Sequence, residues 1–224
     1  MLFFDLDGTL LDFKSAEYAG VMAFHAEFRS LYGLIDHPGE FYESWCRIGS
    51  EHYSRFLRGE LTFGQQQAAR VRETLQAELS DRDALDHFEC YLRHFEAGWK
   101  PYDDVLPCLR RLEGRRLGVI TNGDPVQQRL KLERIGAADF FDIVVASGEA
   151  GVSKPDPALF LIACERTGTS PRELIYVGDD PVADIAPCAA LQATGIWMNR
   201  HHQTPAVPVH RTITSLNELF GHLP

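Results

Sequence analysis

Asp5 and Asp7 stand at the end of an apolar run, Met1-Leu2-Phe3-Phe4, and are followed by Gly8 and Thr9. Along an extended chain, residues i and i+2 point the same way, so the two carboxylates leave the strand together if extension persists. A carboxylate at a buried strand tip is costly unless a cation, hydrogen bonds or a reaction accounts for it. The pair therefore points to a bound divalent cation, or to a nucleophile beside an acid/base. A lone Asp-x-Asp also fits a turn or a helix cap, so the reading depends on what else the chain brings to the same place.

Three later segments carry matching chemistry. Thr121-Asn122-Gly123 offers a hydroxyl and backbone N–H groups next to a glycine and a predicted helix start, which together make an anion cradle. Lys154 lies in a turn stiffened by Pro155 and Pro157, and Gly178-Asp179-Asp180 ends another apolar run, with Asp184 close behind. Phosphate-ester hydrolysis asks mainly for positioning and charge neutralisation. An aspartate can attack phosphorus to form an aspartyl-phosphate, splitting a hard step into two. Asp7 can protonate the leaving alkoxide and later deprotonate the attacking water. Mg²⁺ takes a few carboxylates, several waters and a phosphate oxygen, and Asp5 and Asp179 can supply the carboxylates. Lys154 and Thr121 would hold the non-bridging oxygens.

Short apolar runs must position these groups. After the first strand, residues 117–121, 143–146, 174–177 and 195–198 are nearly uninterrupted apolar segments, as expected of strands covered on both faces. Helices are predicted over 125–135, 157–167 and 181–191. Asp124-Pro125, Asp156-Pro157 and Asp180-Pro181 each place a capping acid before a proline at the first helical position. Asp180 is accordingly read as a cap rather than a ligand. The alternation implies an α/β fold with a doubly wound, Rossmann-like parallel sheet, whose ligands bind outside the carboxyl ends of the strands.

From about Ser15 to Gly98 the pattern is helical. Val21, Phe24 and Phe28 share one stretch and Phe41, Trp45 and Ile48 another. Thr62-Phe63-Gly64-Gln65 has the form of a capping box, and residues 86–95 can form a fourth helix. The division expected is a catalytic core of residues 1–14 and 99–224, with a four-helix cap inserted at 15–98. The aromatic stripe of Phe24, Phe28, Phe41, Trp45, Phe56 and Phe63 is read mostly as the core of that cap.

The net charge of −10 argues against a nucleic-acid polymer as partner. Five scattered cysteines without Cys-x-x-Cys fit a reducing compartment. No apolar run has transmembrane length and no signal peptide is evident, so a cytoplasmic protein without membrane partners is expected. His201-His202 is read as a solvated loop pair. Walker, Gly-x-Ser-x-Gly and His-Glu-x-x-His signatures are missing.

Asp5-Leu6-Asp7-Gly8-Thr9-Leu10, Thr121-Asn122-Gly123, Lys154-Pro155-Asp156 and Gly178-Asp179-Asp180-Pro181-Val182-Ala183-Asp184 resemble, in order, the four motifs of the haloacid dehalogenase superfamily. The resemblance implies Mg²⁺ as cofactor, Asp5 as nucleophile and Asp7 as general acid/base. It also implies that Asp7 binds the metal through its backbone carbonyl, that Asp179 is a direct ligand, and that Asp184 lies nearby or acts through water. Gly8, Asn122 and Gly123 become candidate substrate-binding positions. The insert looks like the helical cap that supplies specificity in one subclass. Ala183 departs from the polar residue relatives often carry there.

The stretches 121–130, 197–202 and 215–219 further resemble bacterial house-cleaning pyrimidine 5′-nucleotidases, and N-acylneuraminate-9-phosphatases are similar in the same motifs. The expectation is a Mg²⁺-dependent phosphomonoester hydrolase, monomeric or homodimeric, acting on a small phosphorylated metabolite. A nucleoside monophosphate is the first reading, with a sugar phosphate or N-acylneuraminate 9-phosphate as the alternative. A dehalogenase would have no use for Asp7 or Asp179, and a noncatalytic module would be expected to lack at least one of these groups. A phosphomutase shares the nucleophile.

Overall fold

The structure, a computed structural model, describes residues 1–223. β1 (Leu2–Phe4) is followed by four long helices, α1 (Phe13–Tyr32), α2 (Pro38–Leu57), α3 (Phe63–Leu75) and α4 (Asp81–Ala97). Next come α5 (Val105–Arg111), β2 (Leu117–Thr121), α6 (Pro125–Arg134), β3 (Ile143–Ala146), α7 (Ser147–Ala150) and α8 (Pro157–Thr167). β4 (Ile175–Gly178), a π turn (Pro181–Ile185), α9 (Ala186–Ala190), β5 (Thr194–Met198) and β6 (Thr212–Ile213) follow. The chain divides into two compact units, Met1–Asp12 with Lys100–Pro224 and Phe13–Trp99.

The first unit is built on one six-stranded parallel sheet in the order β3-β2-β1-β4-β5-β6, the doubly wound α/β arrangement expected. Phe4 lies in register with Val119 of β2 and Val177 of β4. Residues just beyond these three strands therefore emerge side by side, where successive connections depart in opposite directions from β1. Such a switch point is where open parallel sheets form their crevice. Beneath it Phe3, Ile120, Val145, Leu159, Phe160 and Tyr176 pack as a buried cluster.

Asp124, Asp156 and Asp180 each accept hydrogen bonds from N–H groups of the helical turn they precede. The segment after Asp180 departs from the helix expected over 181–191. It opens as a π turn, with Ala186 N–H donating to Pro181 O. Pro187 has no N–H to offer the Ala183 carbonyl, so an unbroken α pattern cannot run through it. β6 was not foreseen, because a two-residue strand shows no period. It exists through its pairing with Trp197 and Met198.

In the second unit, Thr62 Oγ1 accepts from Gln65 N–H while the Gln65 side chain accepts from Thr62 N–H, completing the capping box. α4 begins earlier than the stretch read from periodicity because Ser80 caps it, accepting from Asp83 N–H. Trp45 is fully buried, with ring centroids of Phe24 and Tyr91 at 4.7 and 5.0 Å. Phe41 is buried with it, whereas Phe28, Phe56 and Phe63 are half-buried. The Arg70 guanidinium lies 4.3 Å over the Trp45 ring and pairs with Glu17 at 3.4 Å. All five cysteines are free. Among the described residues no helix is long and apolar enough to cross a membrane.

Candidate active site

The chain turns sharply as it leaves β1. Asp5 N–H donates to Val177 O at 2.8 Å, Leu10 and Leu11 N–H both reach Leu6 O at 2.9 Å, and Gly8 N–H closes on Leu11 O at 2.9 Å. The turn needs glycine at position 8, where φ is +86° and an added Cβ would overlap the Asp179 carboxylate. Asp5, buried at the strand tip, thereby meets Asp179 from the end of β4 and Asp184 from the π turn. One carboxylate oxygen of each lies within 4.8 Å of the others.

Lys154 is buried against this trio. Its Nζ donates to Asp5 Oδ1 at 2.6 Å, to Asp184 Oδ1 at 2.7 Å and to Tyr176 Oη at 3.0 Å. The Tyr176 hydroxyl in turn reaches Ile120 O at 2.7 Å. Asn122 fixes the lysine's backbone, its Oδ1 accepting from Lys154 N–H at 2.8 Å and its Nδ2 donating to Lys154 O at 3.0 Å. Gly123 N–H donates to Ser147 Oγ at 2.9 Å. The Asn122 side chain and the Gly123 N–H are thus committed within the fold.

Burial pushes the Asp5 carboxyl up to about 7, against the pull of Lys154 and with the help of Asp184. Burial, then Asp5 and Asp184, push Asp179 well above the usual carboxylate range. For Lys154 burial works against the charge, yet Asp184 and Asp5 outweigh it and raise the lysine above its ordinary value. Three carboxylates facing one ammonium leave two negative charges uncompensated when all are ionised. The Asp179 carboxylate also finds no hydrogen-bond donor among the described residues. Hard oxygen donors with a surplus of two charges fit Mg²⁺, so the residues present suit the ion.

Asp7 stands apart from the trio. Its carboxylate accepts from Lys131 Nζ at 2.7 and 2.8 Å and from Gln128 Nε2 at 3.0 Å. Gln128 Nε2 also lies 2.7 Å from Thr121 Oγ1 and 3.0 Å from Asn122 O. Thr121, buried at the tip of β2, is therefore beside Asp7. Asp180 caps the π turn, and His201 and His202 are exposed.

Sequence reasoning missed Gln128, Lys131, Tyr176 and Arg200. The first two sit one helical turn apart at buried positions of α6, and a polar pair at apolar positions was the signal available. Tyr176 is a hydroxyl in an otherwise apolar strand. Arg200 carries no local signal. Its guanidinium pairs with both Asp104 oxygens at 3.0 and 2.9 Å, donates to Thr9 O at 2.9 Å and stacks 3.9 Å over Tyr102.

The haloacid dehalogenase-like hydrolase family matches residues 1–192 of the chain. Pyrimidine 5′-nucleotidase YjjG of Escherichia coli (strain K12) is 27% identical over 222 residues, covering 97% of this chain and 95% of that protein. N-acylneuraminate-9-phosphatase of Mus musculus is 31% identical over 239 residues, with 97% and 91% covered. Among solved structures, the putative HAD-hydrolase YfnB from Bacillus subtilis, bound to magnesium, superposes with a TM-score of 0.81 over 99% of this chain and 96% of that one. At 24% identity this is a likeness of fold. A 2-haloacid dehalogenase from Pseudomonas syringae pv. Tomato DC3000 is 26% identical with a TM-score of 0.71, covering 98% and 96%. With the family match spanning most of its length, this chain belongs to the haloacid dehalogenase-like hydrolases.

Proposed function

We propose that this hydrolase is a Mg²⁺-dependent phosphomonoesterase acting on a small phosphorylated metabolite in the cytoplasm. The observation that carries the reading is the meeting of Asp5, Asp179, Asp184 and Lys154 at one sheet edge, with Asp7 two residues beyond Asp5. In the first half-reaction the Asp5 carboxylate attacks phosphorus, the ester P–O bond breaks, and the leaving alkoxide takes a proton from Asp7. In the second half Asp7, now a carboxylate, takes a proton from a water whose oxygen attacks the aspartyl-phosphate. The P–O bond to Asp5 then breaks and orthophosphate departs.

Asp5, Asp179 and Asp184, with the backbone carbonyl of Asp7, are the groups that would hold Mg²⁺. The bound ion would offset repulsion between the nucleophile and the phosphate. Lys154 would hold a non-bridging oxygen by giving up one of its Nζ bonds to Asp5, Asp184 and Tyr176, and Thr121 by turning its hydroxyl from Asn122 O. Asn122 serves by fixing Lys154, and Gly8 by leaving room for Asp179. The helical unit Phe13–Trp99 is assigned the role of cap and the selection of the leaving group.

A nucleoside monophosphate is the substrate class we favour, supported by the near full-length likeness to the Escherichia coli nucleotidase. N-acylneuraminate 9-phosphate is the second reading, favoured by the 31% identity to the mouse phosphatase. Orthophosphate release from a panel of nucleotides, sugar phosphates and N-acylneuraminate 9-phosphate, with and without Mg²⁺, tests both. Mg²⁺-dependent release that is fastest with nucleoside monophosphates is the result expected. Halide release from 2-haloacids with no phosphate release from any ester would overturn the reaction class.

A further inference from the structure

Two buried side chains of α6 hold one acid of the site. Lys131 and Gln128 are 2% and 1% exposed. The lysine Nζ reaches both oxygens of Asp7, at 2.8 and 2.7 Å, so it fixes the orientation of the carboxylate as well as its distance. Gln128 Nε2 ties that carboxylate to Thr121 Oγ1 and Asn122 O, at 3.0, 2.7 and 3.0 Å. Spacing of three residues on a helix puts both side chains on one face. Asp5, Asp179 and Asp184 cluster without Asp7.

We propose that Lys131 and Gln128 are positioning residues for Asp7: they hold its carboxylate beside Thr121 and off the acidic trio, reserving it for proton transfer. The inference rests on the phosphatase reading above. Four carboxylates reach this sheet edge, and a cation in their midst attracts them all. A buried ammonium in contact with both oxygens of Asp7 counters that attraction, because moving the carboxylate toward the cation would break a close, largely desolvated charge pair. The clamp thus separates the carboxylates that hold a metal from the one that carries a proton.

The test compares wild type with Lys131→Met in full-length protein with Mg²⁺, on an alkyl phosphate and on para-nitrophenyl phosphate. General acid–base catalysis contributes about 10²–10⁴-fold, so misplacing the acid should lower kcat on the alkyl ester by roughly 10²-fold while KM stays within about threefold. The burst-phase rate on para-nitrophenyl phosphate should fall much less, since nitrophenolate leaves without a proton. Calorimetric titration should give the same Mg²⁺ Kd for both proteins. Gln128→Met keeps the ion pair and should show the same split on a smaller scale, which serves if Lys131→Met does not fold. Equal losses on both esters, a parallel rise in KM, a weakened Mg²⁺ Kd, or an unaffected variant would overturn the positioning role while leaving the phosphatase reading intact. A wild type inactive on every ester would sink the phosphatase reading itself, and this inference with it.

Discussion

Replacing Gly8 by alanine tests how the metal-binding carboxylates are packed. An added Cβ would meet Asp179 Oδ2 first, with Cγ at 2.6 Å and Oδ1 at 2.9 Å, where ordinary contact begins at 3.4 Å, so the carboxylate must recede by roughly 1.1 Å. The positive φ adds about 1–2 kcal/mol of steric cost for a residue with a Cβ. For a chain of this size that corresponds to a fall in Tm of about 2–8 °C. Gly114 supplies the control, because it has the same φ of +86° and nothing within 4 Å of its would-be Cβ. Gly114→Ala should therefore suffer the backbone strain alone. Calorimetric titration with Mg²⁺ separates the two effects: Gly8→Ala should bind the ion about 10–100-fold more weakly, as when a support of a metal ligand is lost, and Gly114→Ala as wild type does. Equal Mg²⁺ affinity in the two variants would refute the placement of Asp179 as a ligand pressed against Gly8.

Asp5→Asn should reduce phosphate release by at least about 10⁴-fold, and the metal-free variant should melt no lower than wild type, since one charge leaves a crowded trio; retained turnover would remove Asp5 as nucleophile. Lys154→Met leaves Asp5 and Asp184 facing each other without an ammonium, and urea unfolding without Mg²⁺ should show a loss of about 3–5 kcal/mol. A loss under about 1 kcal/mol there would mean that the lysine is not compensating buried charge. Burial tends to raise the Asp104 carboxyl, but bonds from Arg200, Ser215 and Leu216 hold it below its ordinary value. Its folded form therefore binds fewer protons than the unfolded chain, and the stabilisation is full above about pH 4 and fades as pH falls further. Asp104→Asn should flatten the acid limb of a stability-versus-pH curve, and an unchanged limb would contradict this.

Local patterns carried much of the fold. Runs such as Leu117–Thr121 read as strands because they are apolar up to a polar residue at the tip. Three Asp-Pro pairs marked the starts of two α-helices and a π turn, because an acid that accepts from the first free N–H groups and a proline that lacks one both suit a first turn. The exceptions are equally physical. β6 is too short to show alternation, and Pro187 breaks a helix whose period otherwise continues.

The chemistry of the site was legible where residue type limits the roles available: Asp5 at a strand tip, Lys154 in a rigid turn, Asp179 after glycine. Which groups touch was not, because contact depends on strand order, and strand order is not local. β1 lies between β2 and β4, so Asp5 meets partners 149 and 179 residues further along the chain. The same geometry commits Asn122 to the backbone of Lys154 and brings α6 over Asp7. The amino-acid sequence by itself determined the set of reactive groups and the elements bearing them, through period and polarity. Only the tertiary structure decided that three acids share one place while the fourth is held by a buried lysine, because that division follows from which strands and helices lie next to one another.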